Sequence, residues 1–146
     1  MRKPVLAVTV SLLISSFVPA QATKPAPRTA YYPVPVMAAR EPNPVKATPE
    51  SIEAGKKIFG YDCAQCHGAA GDAKTEIAKD LKVPDLTDPA VLKDRTDGAL
   101  FYILKNGHGD MPRECDRVKP EQLWDLINYV RSLVRKQSPT DQKPSN

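Results

Sequence analysis

Hydrophobic positions fall into blocks with different patterns. Val5 to Val18 is mostly apolar, softened by Thr9, Ser11, Ser15 and Ser16, and has no amphipathic face. Thr23 to Pro49 is dominated by proline. From Thr48 onward the apolar residues recur at helical spacing. Thr48-Pro49-Glu50 supplies a hydroxyl cap, a proline for the first turn and an acid near the positive end of the dipole. Ile52, Lys56 and Phe59 then repeat along one helix, with Gly55 on or beside that face. Glycine inside a helix costs about 1 kcal/mol relative to alanine, so Gly55 predicts the close approach of another helix.

A second helix is expected from a Thr96 cap through Asp97 to Lys105, stopped by Asn106-Gly107, with Leu100, Phe101, Ile103 and Leu104 as a broad apolar face. The third starts at Pro120 and carries Leu123, Trp124, Leu126, Ile127, Val130, Leu133 and Val134. Arg131, Arg135 and Lys136 at its end are expected to complement the helix dipole. Gly68 to Asp94 is turn-rich, with one short helix expected near Thr75–Leu81. Neither β-alternation nor an internal repeat is present. The prediction is a small all-α domain over residues 48–136, with three main helices and a long loop. Its core is thin for about 90 residues, so something besides protein should fill it.

The chain has 146 residues, 41% hydrophobic, with 15 prolines against 7 glycines. That is room for one ordinary domain, and it excludes a multi-domain enzyme, a porin, a solenoid and a polytopic membrane protein. Residues 1–22 read as a signal peptide: Arg2 and Lys3 lead into the apolar run, and Ala20-Gln21-Ala22 offers small residues three apart for cleavage. The apolar run has 14 positions, against the roughly 20 that a membrane span needs. An uncleaved anchor is the alternative. Thr23 follows the cut, where lipid attachment would need a cysteine. Residues 23–47 read as a semi-rigid polyproline II tether, because proline fixes φ and lacks an N–H donor, which forbids helix and interior strand there. Tyr31 and Tyr32 have no specific assignment in it. Residues 137–146 read as a flexible tail.

The formal charge of +4 sits outside the predicted domain. Residues 1–47 hold six Lys and Arg against one Glu, whereas residues 48–136 hold 14 basic and 15 acidic side chains. The domain therefore has no basic face that argues for nucleic acid.

The chemistry concentrates in Cys63-Ala64-Gln65-Cys66-His67. Two thiols three apart on a helical turn lie on one side, which suits addition to the two vinyl groups of a haem, and the adjoining histidine then sits under the iron. Three other chemistries compete for these residues. A disulfide between Cys63 and Cys66 would close a small, strained ring and leave His67 unexplained. A thioredoxin-like pair lacks its βαβ context. Zinc held by Cys63, Cys66, His108 and Cys115 has suitable donors, but a six-residue gap separates the second pair.

With these residues in place, the sequence resembles the class I monohaem c-type cytochromes, in their bacterial exported branch. The resemblance spans roughly residues 48–136. It rests on Gly55-x-x-x-Phe59, Cys63-x-x-Cys66-His67-Gly68, Pro84-Asp85-Leu86, Asn106-Gly107-His108-Gly109-Asp110-Met111-Pro112 and Leu126-Ile127-Asn128-Tyr129-Val130. It implies a cytochrome c fold wrapped around one covalent haem c. It also implies that Gly55 and Phe59 pack against Leu126 and Tyr129, that the Pro84 carbonyl accepts the His67 Nδ1 proton, and that Met111 is the second axial ligand. Thioether ligation favours ferrous iron and closes the site to substrates, which fits an electron carrier that is not an enzyme. His108 is the competing ligand.

The expected function is single-electron transfer in the periplasm between redox protein partners, by a monomer. Two alternatives remain: a tethered subunit of a larger respiratory or dehydrogenase complex associated with a membrane, and a haem enzyme or sensor with an open iron. Cys115 is left over after two thioethers, either as a small buried hydrophobe or as a thiol pairing two chains. Charges over residues 93–119, including Glu114, Asp116, Arg113 and Arg117, are mixed in sign and read as solvated surface.

Overall fold

A computed structural model describes residues 33–134. The expected signal peptide, Tyr31, Tyr32, Arg135, Lys136 and the tail lie outside the described residues. Seven α-helical segments occur among them: α1 Val36–Ala39, α2 Pro49–Ile58, α3 Ala64–His67, α4 Glu76–Leu81, α5 Pro89–Leu92, α6 Asp97–Asn106 and α7 Pro120–Leu133. A π-helical turn, Phe59–Cys63, joins α2 to α3. Among the described residues there is no strand, only an isolated bridge between His108 and Met111. The architecture is all-α, as expected.

The helix starts are those their caps dictate. Thr48, Thr75 and Thr96 each accept a hydrogen bond from the backbone N–H three residues on, at 3.3, 2.9 and 3.1 Å. Asp88 caps α5 through the Ala90 N–H at 2.8 Å, with Pro89 in the first turn. Lys119 has no such side chain; its N–H donates to Gln122 Oε1 at 3.0 Å. Gly107, at φ +77°, ends α6 in a conformation that suits glycine.

The core forms where α2 crosses α7. A Cβ on Gly55 would lie 2.1 Å from the Asp125 carbonyl oxygen and 2.9 Å from Leu126 Cα, so the crossing requires glycine. Phe59, Leu123, Leu126 and Ile127 are fully buried there, and Phe59 meets Tyr129 edge to face at 5.2 Å. Phe101 of α6 stacks on Trp124 of α7 at 4.1 Å. A polar network runs beside this core. Ser51 donates to Asp125 Oδ1 at 2.6 Å, and Asn128 donates to Ser51 Oγ at 2.8 Å and to the Val45 carbonyl at 3.1 Å. Asn43 donates to Asn128 Oδ1 at 2.9 Å.

Two sequence expectations need correcting. The proline-rich stretch was expected to be extended throughout, yet α1 forms in the proline-free interval between Pro35 and Pro42. This turn lies against the start of α6: a Cβ on Gly98 would meet the Ala38 carbonyl at 2.2 Å, and Thr96 Oγ1 donates to the Ala39 carbonyl at 2.5 Å. Together with the Asn43 and Val45 bonds, these contacts lay the described part of that stretch along the domain. Arg131 was expected to complement the α7 dipole. It reaches sideways instead, donating to Asp97 Oδ1 at 2.9 Å, to the Leu92 carbonyl at 3.0 Å and to the Arg95 carbonyl. It thereby ties α7 to the segment joining α5 and α6.

Candidate functional site

The π-turn decides how the cysteine motif is presented. A π-turn adds a residue to the helical repeat and so rotates everything after it. Phe59 at its start is buried in the core, Tyr61 in its middle points to solvent, and Cys63 at its end is buried beside Phe59. Cys66 and His67 follow on α3, both half-buried. Cys63 and Cys66 are free thiols, so the disulfide rival is not formed.

The backbone around the motif is fixed from outside it. The Thr75 hydroxyl, while capping α4, donates to the Cys66 carbonyl at 2.9 Å. The Ala73 N–H donates to the His67 carbonyl at 2.8 Å, and the Leu86 N–H donates to the Gly71 carbonyl at 2.8 Å. The long loop therefore closes over the motif through hydrogen bonds. The sequence placed Thr75 only at the start of a short helix; its capping of α4 and its bond to Cys66 both emerge from the fold.

His67 rests its ring near that of Phe59, with centroids 6.4 Å apart. Its Nδ1 atom is buried and has no hydrogen bond of normal geometry. Burial pushes its pKa down, and the Pro84 backbone carbonyl acts in the opposite direction without completing such a bond. Burial pushes the Cys63 thiol up to about 12, helped by the carboxylates of Glu114 and Asp62 and opposed by Arg117.

Met111 lies across the domain in the loop after α6. It is half-buried and packs against the core that holds Cys63 and Phe59. The His108 and Met111 amides each donate to the other's carbonyl at 2.9 Å. A Cβ on Gly107 would come 2.8 Å from the Met111 carbonyl oxygen. The fold thus gathers the motif and Met111 around one core, with the Pro84 carbonyl acting on His67. The zinc rival fares differently: among the described residues no three His, Cys, Asp or Glu side chains converge as a metal site, and Cys63, Cys66, His108 and Cys115 are all described. Cys115 is half-buried, unbonded to another cysteine, with its sulfur 3.8 Å from Asp116 Oδ1.

One residue read as solvated surface is not. Glu114 is only 2% exposed and pairs with Arg117, at 2.5 Å to Nη2 and 3.2 Å to Nε. Arg117 Nε also lies 3.2 Å from Asp62 Oδ1. The three-residue spacing of Glu114 and Arg117 was a weak signal for that pair; nothing in the sequence pointed to Asp62.

Two free thiols and a histidine with an orphaned, buried Nδ1, facing a core shared with a methionine, suit a large planar group anchored by two sulfurs. A family model described as "Cytochrome C oxidase, cbb3-type, subunit III" matches residues 50–130. Quinohemoprotein alcohol dehydrogenase ADH IIB of Pseudomonas putida is 34% identical over 101 residues, covering 68% of this chain and 14% of that protein. The cbb3-type cytochrome c oxidase subunit FixPc of Rhizobium leguminosarum bv. viciae is 35% identical, over 58% of this chain and 29% of that one. Cytochrome c6 of a Nostoc species is 37% identical, over 52% and 65%. The chain therefore spans less than a third of the first two relatives. Among solved structures, a reducing HAO-like protein complex of Kuenenia stuttgartiensis aligns with a TM-score of 0.57 at 26% identity, over 63% of this chain and 47% of that one.

Proposed function

Because the chain belongs to the cytochrome c oxidase, cbb3-type, subunit III family, a family of c-type cytochrome domains, we propose that it is an exported carrier of single electrons whose iron is held between His67 and Met111. Its cofactor is haem c, held covalently, one per chain, and that group supplies a one-electron iron couple. Cys63 and Cys66 each contribute a thiol to one thioether link. His67 would bind the iron through its other ring nitrogen, and the buried Nδ1–H, which has no hydrogen-bond partner here, would then donate to the Pro84 carbonyl, setting the ring's orientation and basicity. Met111 would supply the iron with a second, soft sulfur ligand, which would keep substrates off the metal and suit electron transfer over catalysis.

The observation that carries this reading is the packing of Met111 on the same core as Cys63 and Phe59, the ring that His67 faces. In this reading residues 1–22 are the signal peptide, 23–47 a spacer whose later part rests on the domain, 48–136 the cytochrome domain and 137–146 a tail. The protein works in the periplasm, and an uncleaved anchor is the alternative. No helix among the described residues is long and apolar enough to cross a membrane. Its partners are redox proteins that give and take one electron.

Optical and redox spectroscopy of the holoprotein beside Met111→Ala tests the ligand set. Wild type is expected to show the sulfur-to-iron charge-transfer band and to exclude carbon monoxide in the ferrous state. The variant loses the band, drops in potential and binds the gas. Unchanged spectra in the variant remove Met111 from the iron, and rapid gas binding by wild type at neutral pH overturns the closed carrier.

A second reading makes the domain a subunit of a larger oxidase or dehydrogenase assembly. Its likeness to a cbb3-type oxidase subunit and to part of a quinohemoprotein dehydrogenase favours this. Co-purification with membranes after removal of residues 1–22 supports it; a freely soluble monomer opposes it.

A further inference from the structure

Burying a carboxylate is unfavourable unless the fold uses it, and Glu114 is the one charged side chain in the described core. Its surroundings are specific. The Glu114 N–H donates to the Leu104 carbonyl in the last turn of α6 at 2.8 Å, and its own carbonyl accepts from Arg117 and Val118 at 2.9 and 3.1 Å. That fixes the chain three residues after Met111. The carboxylate then holds the Arg117 guanidinium at both oxygens, and the guanidinium reaches Asp62, the residue before Cys63. A direct polar link therefore runs from the loop carrying Met111 to the turn carrying the cysteine motif.

We infer that Glu114 is a positioning residue for the Met111 sulfur: through Arg117 and Asp62 it ties the methionine loop to the haem-attachment turn, so that the two sides of the site cannot part. The inference rests on the proposed ligation by Met111. The His108–Met111 pair and the Leu104 bond also hold the loop, and both of these lie within the loop and α6. Without the link to Asp62, the sulfur should leave the iron more often. Arg117 is 45% exposed, so the effect should be nearer about tenfold than the several hundredfold of a fully buried pair.

The test uses the mature ferric holoprotein and imidazole as the probe, because its capture by the iron waits for the sulfur to depart. Capture is timed far below the unfolding temperature, for wild type, E114Q, R117K, D62N and Met111→Ala. Expected are capture about tenfold faster in E114Q and a smaller increase in R117K, which keeps the charge and loses the fork. D62N should also be faster, and D62N with E114Q no faster than E114Q alone, because the two act along one path. Should E114Q fail to accumulate as holoprotein, R117K and D62N carry the same test with Glu114 intact. Wild-type capture rates in the variants that fold, with only the unfolding midpoint lowered, overturn the positioning role. If Met111→Ala captures imidazole no faster than wild type, the ligand reading itself fails; fast Met111→Ala beside wild-type-like E114Q refutes the inference alone.

Discussion

Replacing Gly55 by alanine sets two physical effects against each other at one atom. Helix propensity alone favours alanine by about 1 kcal/mol. The crossing with α7 opposes it, because the new Cβ would sit 2.1 Å from the Asp125 carbonyl oxygen, 2.6 Å from its carbon and 2.9 Å from Leu126 Cα. The first of these is about 1.3 Å inside the 3.4 Å at which ordinary contact begins. All three neighbours are backbone atoms inside a helix, so no side chain can swing away, and α2 and α7 must separate. Overpacking of this kind costs about 1–3 kcal/mol, and rigid backbone on both sides places it at the top of that range. The net expectation is a loss of about 2 kcal/mol, equivalent to a fall of roughly 10 °C in Tm for a domain of this size. Urea unfolding of the holoprotein, followed by far-ultraviolet circular dichroism, measures it. Gly60→Ala is the control: a Cβ there meets nothing within 4 Å, so it should be neutral or stabilising by up to about 1 kcal/mol. A Gly55→Ala protein as stable as wild type would refute the close-crossing argument.

Two further substitutions probe the links around the core. Arg131→Met keeps the aliphatic stem but leaves the Leu92 and Arg95 carbonyls without their donor and breaks the pair with Asp97. Because both partners of that pair are about a third exposed, thermal unfolding should show a loss of about 1–2 kcal/mol, and no loss means the carbonyls are met by water. Asn128→Leu removes the partner shared by Ser51, Asn43 and the Val45 carbonyl. A loss of about 2–3 kcal/mol is expected, with faster limited proteolysis between residues 33 and 47, and unchanged proteolysis counts against the network as the clasp of that segment.

The sequence determined the parts of this protein that depend on near neighbours in the chain. The starts of α2 and α6 follow from threonines placed one residue before them, and the end of α6 from Gly107, because capping is satisfied within one turn. The Cys63-x-x-Cys66-His67 motif names its chemistry for the same reason: both thiols and the ring lie within one helical turn. Gly55 announced a close helix approach, although not which helix would make it.

Tertiary structure decided what depends on residues far apart. Only the folded chain shows that Thr75 holds the Cys66 carbonyl, that Arg131 serves the α5–α6 segment instead of its own helix end, and that α1 lies against α6. Glu114 is the sharpest case. In sequence it is one acid among mixed charges, and a charge pattern records what each residue is, not whether water reaches it. Its burial goes with the path of the loop after Met111, where its N–H is bonded to Leu104 and its carboxylate to Arg117. Burial and long-range pairing belong to the packed chain as a whole, because only packing removes a group from water and brings distant residues within hydrogen-bond reach.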